Sequence, residues 1–283
     1  MTDSQSTPWH ATELLTGGWQ VAEIDTSVAH TARMYDYYLG GRDNYEVDRD
    51  AAEQALAIYP HIRALARENR AYLGRAVRFL AAQGIRQFLD IGTGIPSPGN
   101  TTESAREVAP DARVVYVDND PIVMAHASAL LAEHDPAHTS VVYGDLRDPR
   151  SILEDPRVRA VLDFDQPIAV LLVAVLHFIQ DTERPAEIVR ELMDAVVPGS
   201  YLAFSHATAD GQSETAREAA QTYDRATARL ILRSKAQITP FFAGLELVEP
   251  GLVALPWWQP DHEVTADPEQ NWGYAAVAIK PAR

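Results

Sequence analysis

The 283-residue sequence contains no cysteine, which excludes disulfides, thiolate nucleophiles and Cys-ligated zinc. It is also short of positive charge: 24 Lys and Arg stand against 40 Asp and Glu, a formal charge of −16. A field of that sign disfavours a nucleic-acid phosphate backbone as partner. Long apolar runs are missing, and the longest, Ile168–Leu176, is far too short to span a bilayer. The N-terminal stretch is polar and carries no signal-peptide pattern. There is no internal repeat, no low-complexity tract, and no HExxH or paired His/Asp spacing that would mark a metal site. Apolar residues make up 46% and charged residues 23%, an ordinary globular balance. Together these features predict a soluble, cytoplasmic protein without a membrane, nucleic-acid or metal partner, and leave the oligomeric state open.

The texture of the chain changes near residue 85. Residues 1–20 are polar and aperiodic and are expected to be mobile. Residues 26–45, TSVAHTARMYDYYLGGRDNY, concentrate Tyr, Asp, Arg and Gly. Helical patterns follow over Val47–Tyr59 and His61–Gln83, parted by Pro60. From Gln87 onward short apolar runs alternate with helical stretches. Strands are predicted at Gln87–Ile91, Arg113–Asp118, Ser140–Tyr143, Ile168–Val175 and Tyr201–Ser205, and helices at Thr101–Val108, Ile122–Glu133 and Pro185–Ala195. Strands that are apolar throughout, spaced by crossover-length helices, predict a parallel sheet covered on both faces. A long helix over Glu214–Arg233 and a short one over Ile238–Phe242 come next. Two strands, Leu245–Val248 and Tyr274–Ile279, then follow with no helix between them and are expected to be antiparallel. The expected fold is α/β. An N-terminal tail and helical cap or lid spans residues 1–84, and a seven-stranded, mostly parallel sheet spans residues 85–283.

The stretch FLDIGTGIPSPGN, residues 88–100, lies where such a sheet forms the floor of its ligand site. A dinucleotide fingerprint needs a third Gly or Ala and lays a pyrophosphate on the following helix. Here Ser97 stands in that place, between Pro96 and Pro98, and Asp90 precedes Gly92 by two residues. A carboxylate repels a pyrophosphate and attracts an ammonium or sulfonium group. The prolines reduce the conformers open to the unfolded loop, and Asn100 or Thr101 can cap the next helix. Asp118, in VVYVDND, ends the second strand, where an ionised carboxylate can accept both hydroxyls of a ribose. Asp145, in VVYGDLRD, follows the third and can accept from an adenine amino group while Leu146 packs on the ring. Each acid also has a local use, as a helix or turn cap.

The motifs FLDIGTG, VVYVDND and VVYGD resemble, in order, those of class I S-adenosylmethionine-dependent methyltransferases. Over nearly the whole chain, ARMYDYYLGGRDNYEVDR, DIGTGIPSPGNT, VLHFIQD and ELVEPGLV resemble a bacterial family of such enzymes once catalogued as a domain of unknown function. The resemblance implies a Rossmann-like sheet of order 3-2-1-4-5-7-6 with the last strand antiparallel, and S-adenosylmethionine as cofactor. It implies that Asp90, Gly92, Thr93 and Gly94 lie near the methionyl part. Asp118 then falls at the ribose, Asp145 and Leu146 at the adenine, Asn119 among the cofactor-binding residues, and Ala174 to His177 at the border of the methyl-transfer position.

In RMYDYYLGGRDNY, residues 33–45, Gly40 and Gly41 permit a sharp bend. Arg33 or Arg42 can meet a carboxylate bidentately, and Tyr38, Asn44 and Tyr45 can supply hydrogen bonds and an aromatic wall. The alternative is an amphipathic helix whose tyrosines pack on the sheet. His177, just past the fourth strand, is the candidate to orient or deprotonate an acceptor; His206 follows the fifth. The PWWQP stretch, 256–260, can line an apolar acceptor pocket or pack as a surface loop. The leading expectation is a methyltransferase acting on a small-molecule O, N or C acceptor. A cofactor-binding protein without catalysis is the alternative, and an NAD-dependent oxidoreductase is a weaker one.

Overall fold

The computed structural model describes residues 25–131, 137–210, 213–264 and 272–282. The polar stretch over residues 1–20, expected to be mobile, lies outside them. Strands β1 (Gln87–Ile91), β2 (Arg113–Asp118), β3 (Thr139–Tyr143), β4 (Ala169–Val173) and β5 (Tyr201–Ala207) are parallel neighbours in the order β3-β2-β1-β4-β5. Strands β6 (Glu246–Leu247), β7 (Val253–Ala254) and β8 (Gly273–Ile279) complete the sheet. β8 runs antiparallel along the full length of β5, and β6 and β7 both pair with β8. The order β3-β2-β1-β4-β5-β8-β6 is the expected one, with β7 added as a two-residue eighth strand.

The central strands form because every residue of β1, and all but the first of β2, is buried. Helices α3 (Ile62–Ala82), α4 (Thr101–Arg106) and α5 (Pro121–Leu131) cover one face, with Tyr72, Val77 and Leu80 packed on Phe88, Val114 and Leu171. Helices α6 (Pro149–Glu154), α7 (Pro156–Val161) and α8 (Pro185–Asp194) cover the other, with Ile152, Val158 and Leu192 packed on Leu89, Val117 and Leu172. A smaller core joins α1 (Thr31–Leu39) and α2 (Glu46–Ile58) to a turn of 3-10 helix, Thr222–Arg225, through Met34, Tyr38, Ala52, Ala55 and Tyr223.

Two expected elements differ, and two helices are added. The predicted helix Glu214–Arg233 is α-helical only as α9 (Ser213–Gln221), before that 3-10 turn. Past the turn the backbone runs without helix to α10 (Lys235–Ile238), which brings Arg233 beneath β5. The fourth strand stops at Val173 because Ala174 takes a left-handed conformation, φ 56°, outside the range of a strand. The two short helices α6 and α7, each opening on a proline behind an Asp cap, were not expected.

Candidate functional site

The crevice opens at the carboxyl ends of β1 to β5, as expected for a parallel sheet. At its floor Gly92 takes φ 74°, and a Cβ there would stand 2.4 Å from Val175 Cγ2. Only glycine gives both the conformation and the clearance. The loop is then tied back to α3, since Arg70 Nη2 donates to the Ser97 carbonyl at 3.0 Å. Asn100, not Thr101, caps α4 by accepting from the Glu103 amide. Thr101 instead donates its hydroxyl to Asp90 Oδ2 at 2.6 Å, with Thr93 Oγ1 at 3.4 Å. Burial lifts the Asp90 carboxyl from 3.8 to about 6, against these hydroxyls and the charge of Arg70.

Asp118 is held by two backbone amides: Gly94 N–H donates to Oδ2 and Asp120 N–H to Oδ1, each at 2.9 Å. Burial pushes its pKa up while these amides oppose the shift. His30, before α1, lies with Nδ1 2.8 Å from Asp120 Oδ2. That separation from a carboxylate oxygen puts the proton on Nδ1, which leaves the Ala32 amide at 3.3 Å as a contact only. Burial raises the Asp120 pKa most, but the hydrogen bond and charge of His30, with the Ile122 amide and Arg33, together hold the group below the usual range. Past β3, Asp145 accepts from Asn119 Nδ2 at 3.3 Å and is paired with Arg147, which also binds Glu183 at 2.6 Å.

At the far end, the Ala174 amide donates to Ser205 Oγ at 2.9 Å. Ser205 donates to Asn69 Oδ1, Asn69 Nδ2 to Tyr35 OH, and Tyr35 OH to the Ala66 carbonyl, at 2.6, 3.0 and 2.9 Å. This chain locks the strained residue to α3 and α1. Tyr38 OH meets Tyr223 OH at 3.0 Å, and Trp272 stacks on Tyr59. The rings of Tyr35, Tyr38, Phe178, Tyr223 and Trp272 line the crevice, with Phe178 edge-on to His177 at 4.4 Å.

The crevice thus brings together Asp90, Gly92, Thr93, Gly94, Asp118, Asn119, Asp145, Leu146, Ala174, Tyr38 and His177. Asn44 and Tyr45 lie outside it. The turn after Gly40, φ 85°, folds their segment back on α1. There Asn44 Nδ2 donates to Asp36 Oδ2 at 2.8 Å, and Tyr45, 39% exposed, immediately precedes α2. Neither expected arginine reaches the crevice. Arg33 is buried against the Val28 carbonyl and Asp48, and Arg42 is exposed. Trp258 of PWWQP is fully buried edge-on to Tyr72 and Phe79, so it packs beneath α3 and lines no acceptor pocket.

Two arginines do line the crevice: Arg147, paired with Asp145 and Glu183, and Arg70, whose Nε is buried without a hydrogen-bond partner among the described residues. An unmet buried donor beside Asp90 fits a ligand that carries a carboxylate as well as a cation, the two charges of a methionyl group. Asn69 and Arg70 had one legible signal. Asn69 interrupts the apolar stripe Ala66, Leu73, Val77, Leu80 of α3, where a polar side chain needs a buried partner.

Residues 17–281 match the family described as S-adenosyl methyltransferase. Among solved structures the chain is similar to a DUF574-family protein from Streptomyces avermitilis MA-4680, 44% identical over 91% of this chain and 100% of that one, TM-score 0.88. It is similar also to a candidate methyltransferase from Thermobifida fusca YX, 40% identical over 94% and 100%, TM-score 0.87. An O-methyltransferase family protein from Burkholderia thailandensis, 14% identical over 87% and 64% with a TM-score of 0.52, shares the fold alone. A comparison with curated proteins finds no match. With a carboxylate just before the first glycine turn, further acids at the end of the second strand and past the third, and a family match over most of its length, the chain belongs to the S-adenosyl methyltransferases and uses S-adenosylmethionine.

Proposed function

We propose that the methyl group goes to a small-molecule acceptor seated at the β4–β5 end of the crevice, with the cofactor across the ends of β1, β2 and β3. The observation that carries this reading is the division of one crevice into unlike halves. Carboxylates at the ends of β1, β2 and β3 stand at one side, and His177 with the Phe178 ring past β4 at the other. Asp118 holds the ribose, since each of its oxygens accepts one amide and keeps a lone pair for a hydroxyl. Asp145 and Asn119 face the adenine edge and Leu146 its ring. Gly92, Thr93 and Gly94 shape the turn around the methionyl part, Asp90 takes its cationic side and Arg70 Nε its carboxylate. Ala174 borders the methyl-transfer position, and Tyr38 walls it. The helical segment before residue 85 acts as the lid, through α1. When bound, S-adenosylmethionine supplies a methyl group already activated on sulfonium, so the protein's main task is in-line placement of the acceptor.

Calorimetric titration tests the cofactor half. S-adenosylmethionine and S-adenosylhomocysteine are expected to bind in the micromolar range, about −8 kcal/mol, and NAD not to bind. Asp118→Ala should weaken the binding by roughly 1–3 kcal/mol. Formation of S-adenosylhomocysteine with the small-molecule fraction of a cell extract tests the acceptor half. NAD binding as tight as that of S-adenosylmethionine overturns the first. Turnover confined to the macromolecular fraction overturns the second.

A further inference from the structure

His177 and His206 sit side by side at the acceptor end, ring centroids 5.5 Å apart, and their hydrogen bonds define where their protons are. His206 Nδ1 is 2.7 Å from the Ala207 carbonyl and therefore carries its proton. Its Nε2 accepts from Arg233 Nη1 at 2.9 Å. Arg233, 3% exposed, is fixed in turn by Asp181 Oδ1 and the Leu176 and Ile179 carbonyls. The Ala207 amide points the other way, donating to His177 Nδ1 at 3.3 Å. An amide can only donate, so His177 Nδ1 is a lone pair and the neutral ring carries its proton on Nε2. Protonating Nδ1 as well would set two donors against each other beside the Arg233 guanidinium, and burial holds the His177 pKa well below its ordinary value.

His177 Nε2 has no hydrogen-bond partner among the described residues, and it is not among the buried unpartnered atoms, so it borders the crevice that the residue lines. Trp272, stacked on Tyr59, also lines the crevice, and its buried Nε1 has no partner among the described residues. Tyr38 and Tyr223 stay protonated, their phenols raised by burial. The carboxylates that line the crevice, Asp90, Asp118 and Asp145, all lie at the β1–β3 side. Among the described residues, the acceptor end therefore offers the His177 Nε2–H donor and flat rings, and no carboxylate or free imidazole nitrogen to take a proton from an attacking hydroxyl.

We propose that His177 donates a hydrogen bond to the methyl acceptor through Nε2–H, and that the acceptor is a small aromatic molecule whose nucleophilic oxygen arrives without a proton to lose, a phenolate or an aryl carboxylate. This rests on the crevice being the methyl-transfer site. The acceptor oxygen supplies the electron pair of the new O–C bond, the C–S bond breaks with its pair left on sulfur, and no proton moves. The donor holds the anion in place and disfavours an ammonium group, which has no lone pair to accept it. Arg233 and His206 are positioning residues that maintain the tautomer.

The test uses the full chain with 15N-labelled histidine, saturated with S-adenosylhomocysteine; failure to bind that ligand refutes the methyl-transfer site and leaves the tautomer to be read on the free protein. Long-range 1H–15N correlation should show His177 with Nδ1 unprotonated and Nε2 protonated throughout pH 6 to 8. The opposite tautomer, or a protonation midpoint in that range, overturns the proposal. Binding of 4-nitrophenolate and benzoate should exceed that of benzylamine about tenfold or more and shift the Nε2 signal. His177→Phe should weaken anion binding about tenfold, and His177→Gln, which keeps a donor, should restore most of it. Preference for benzylamine, failure of both anions to bind, or equal binding by the Phe and Gln variants overturns it.

Discussion

Asp90 binds a proton more tightly in the fold, at about 6, than in the unfolded chain, at 3.8. Between those values the folded state keeps the proton that the unfolded state has lost, so this group costs stability as pH rises toward neutrality. The ionised form at pH 7 is the one a cation needs. S-adenosylmethionine affinity is therefore expected to fall below about pH 6, by up to about tenfold per unit. Asp90→Asn should bind weakly without that pH dependence, and should raise the stability of the free protein at pH 7.5 by up to about 3 kcal/mol. Calorimetry and urea unfolding at pH 5 and 7.5 measure both, and a wild-type affinity that is flat across this range would refute the ammonium or sulfonium role. The two glycines of the turn are unlike. Gly92→Ala puts a Cβ into Val175, whereas at Gly94, φ 66°, it meets open space. Urea unfolding should show about 2–4 kcal/mol lost at Gly92 and about 1 kcal/mol at Gly94.

Among elements, the buried parallel strands were the most legible, because strands covered on both faces read as unbroken apolar runs; β1 and β2 match their predicted bounds residue for residue. Carboxylates at strand ends were legible for the same reason, since an acid that closes such a run stands out. The polar-faced pattern past Glu214 predicts a longer helix than the one that forms. It did not show that Tyr223 would turn inward to meet Tyr38, or that Arg233 would be needed under His206. Asn44 and Tyr45 were misplaced because composition gives residue types and not the direction of the turn at Gly40. α1 bridges the two halves of the crevice, through His30 to Asp120 and Tyr35 to Asn69. S-adenosylhomocysteine should therefore slow hydrogen exchange chiefly over residues 30–35 and leave residues 41–45, already bonded to Asp36 and Asp48, nearly unchanged. Equal protection of both segments with and without ligand would remove the lid from the mechanism.

For the molecule as a whole, a formal charge of −16 attracts a cationic donor and repels an anionic acceptor at long range. Association of S-adenosylmethionine should slow as salt rises from 20 to 300 mM, and that of 4-nitrophenolate should quicken, in stopped-flow measurements. Matching salt trends for the two ligands would show that the field at the crevice mouth does not follow the net charge. The sheet itself has a temporal consequence. β5 is flanked by β4 on one edge and by β8 on the other, yet residues 201–207 leave the ribosome well before residues 273–279. In that interval the apolar β5 edge is unpaired. Nascent chains held at that stage are the ones a chaperone should bind, or that should pair with one another, before the last strand is made.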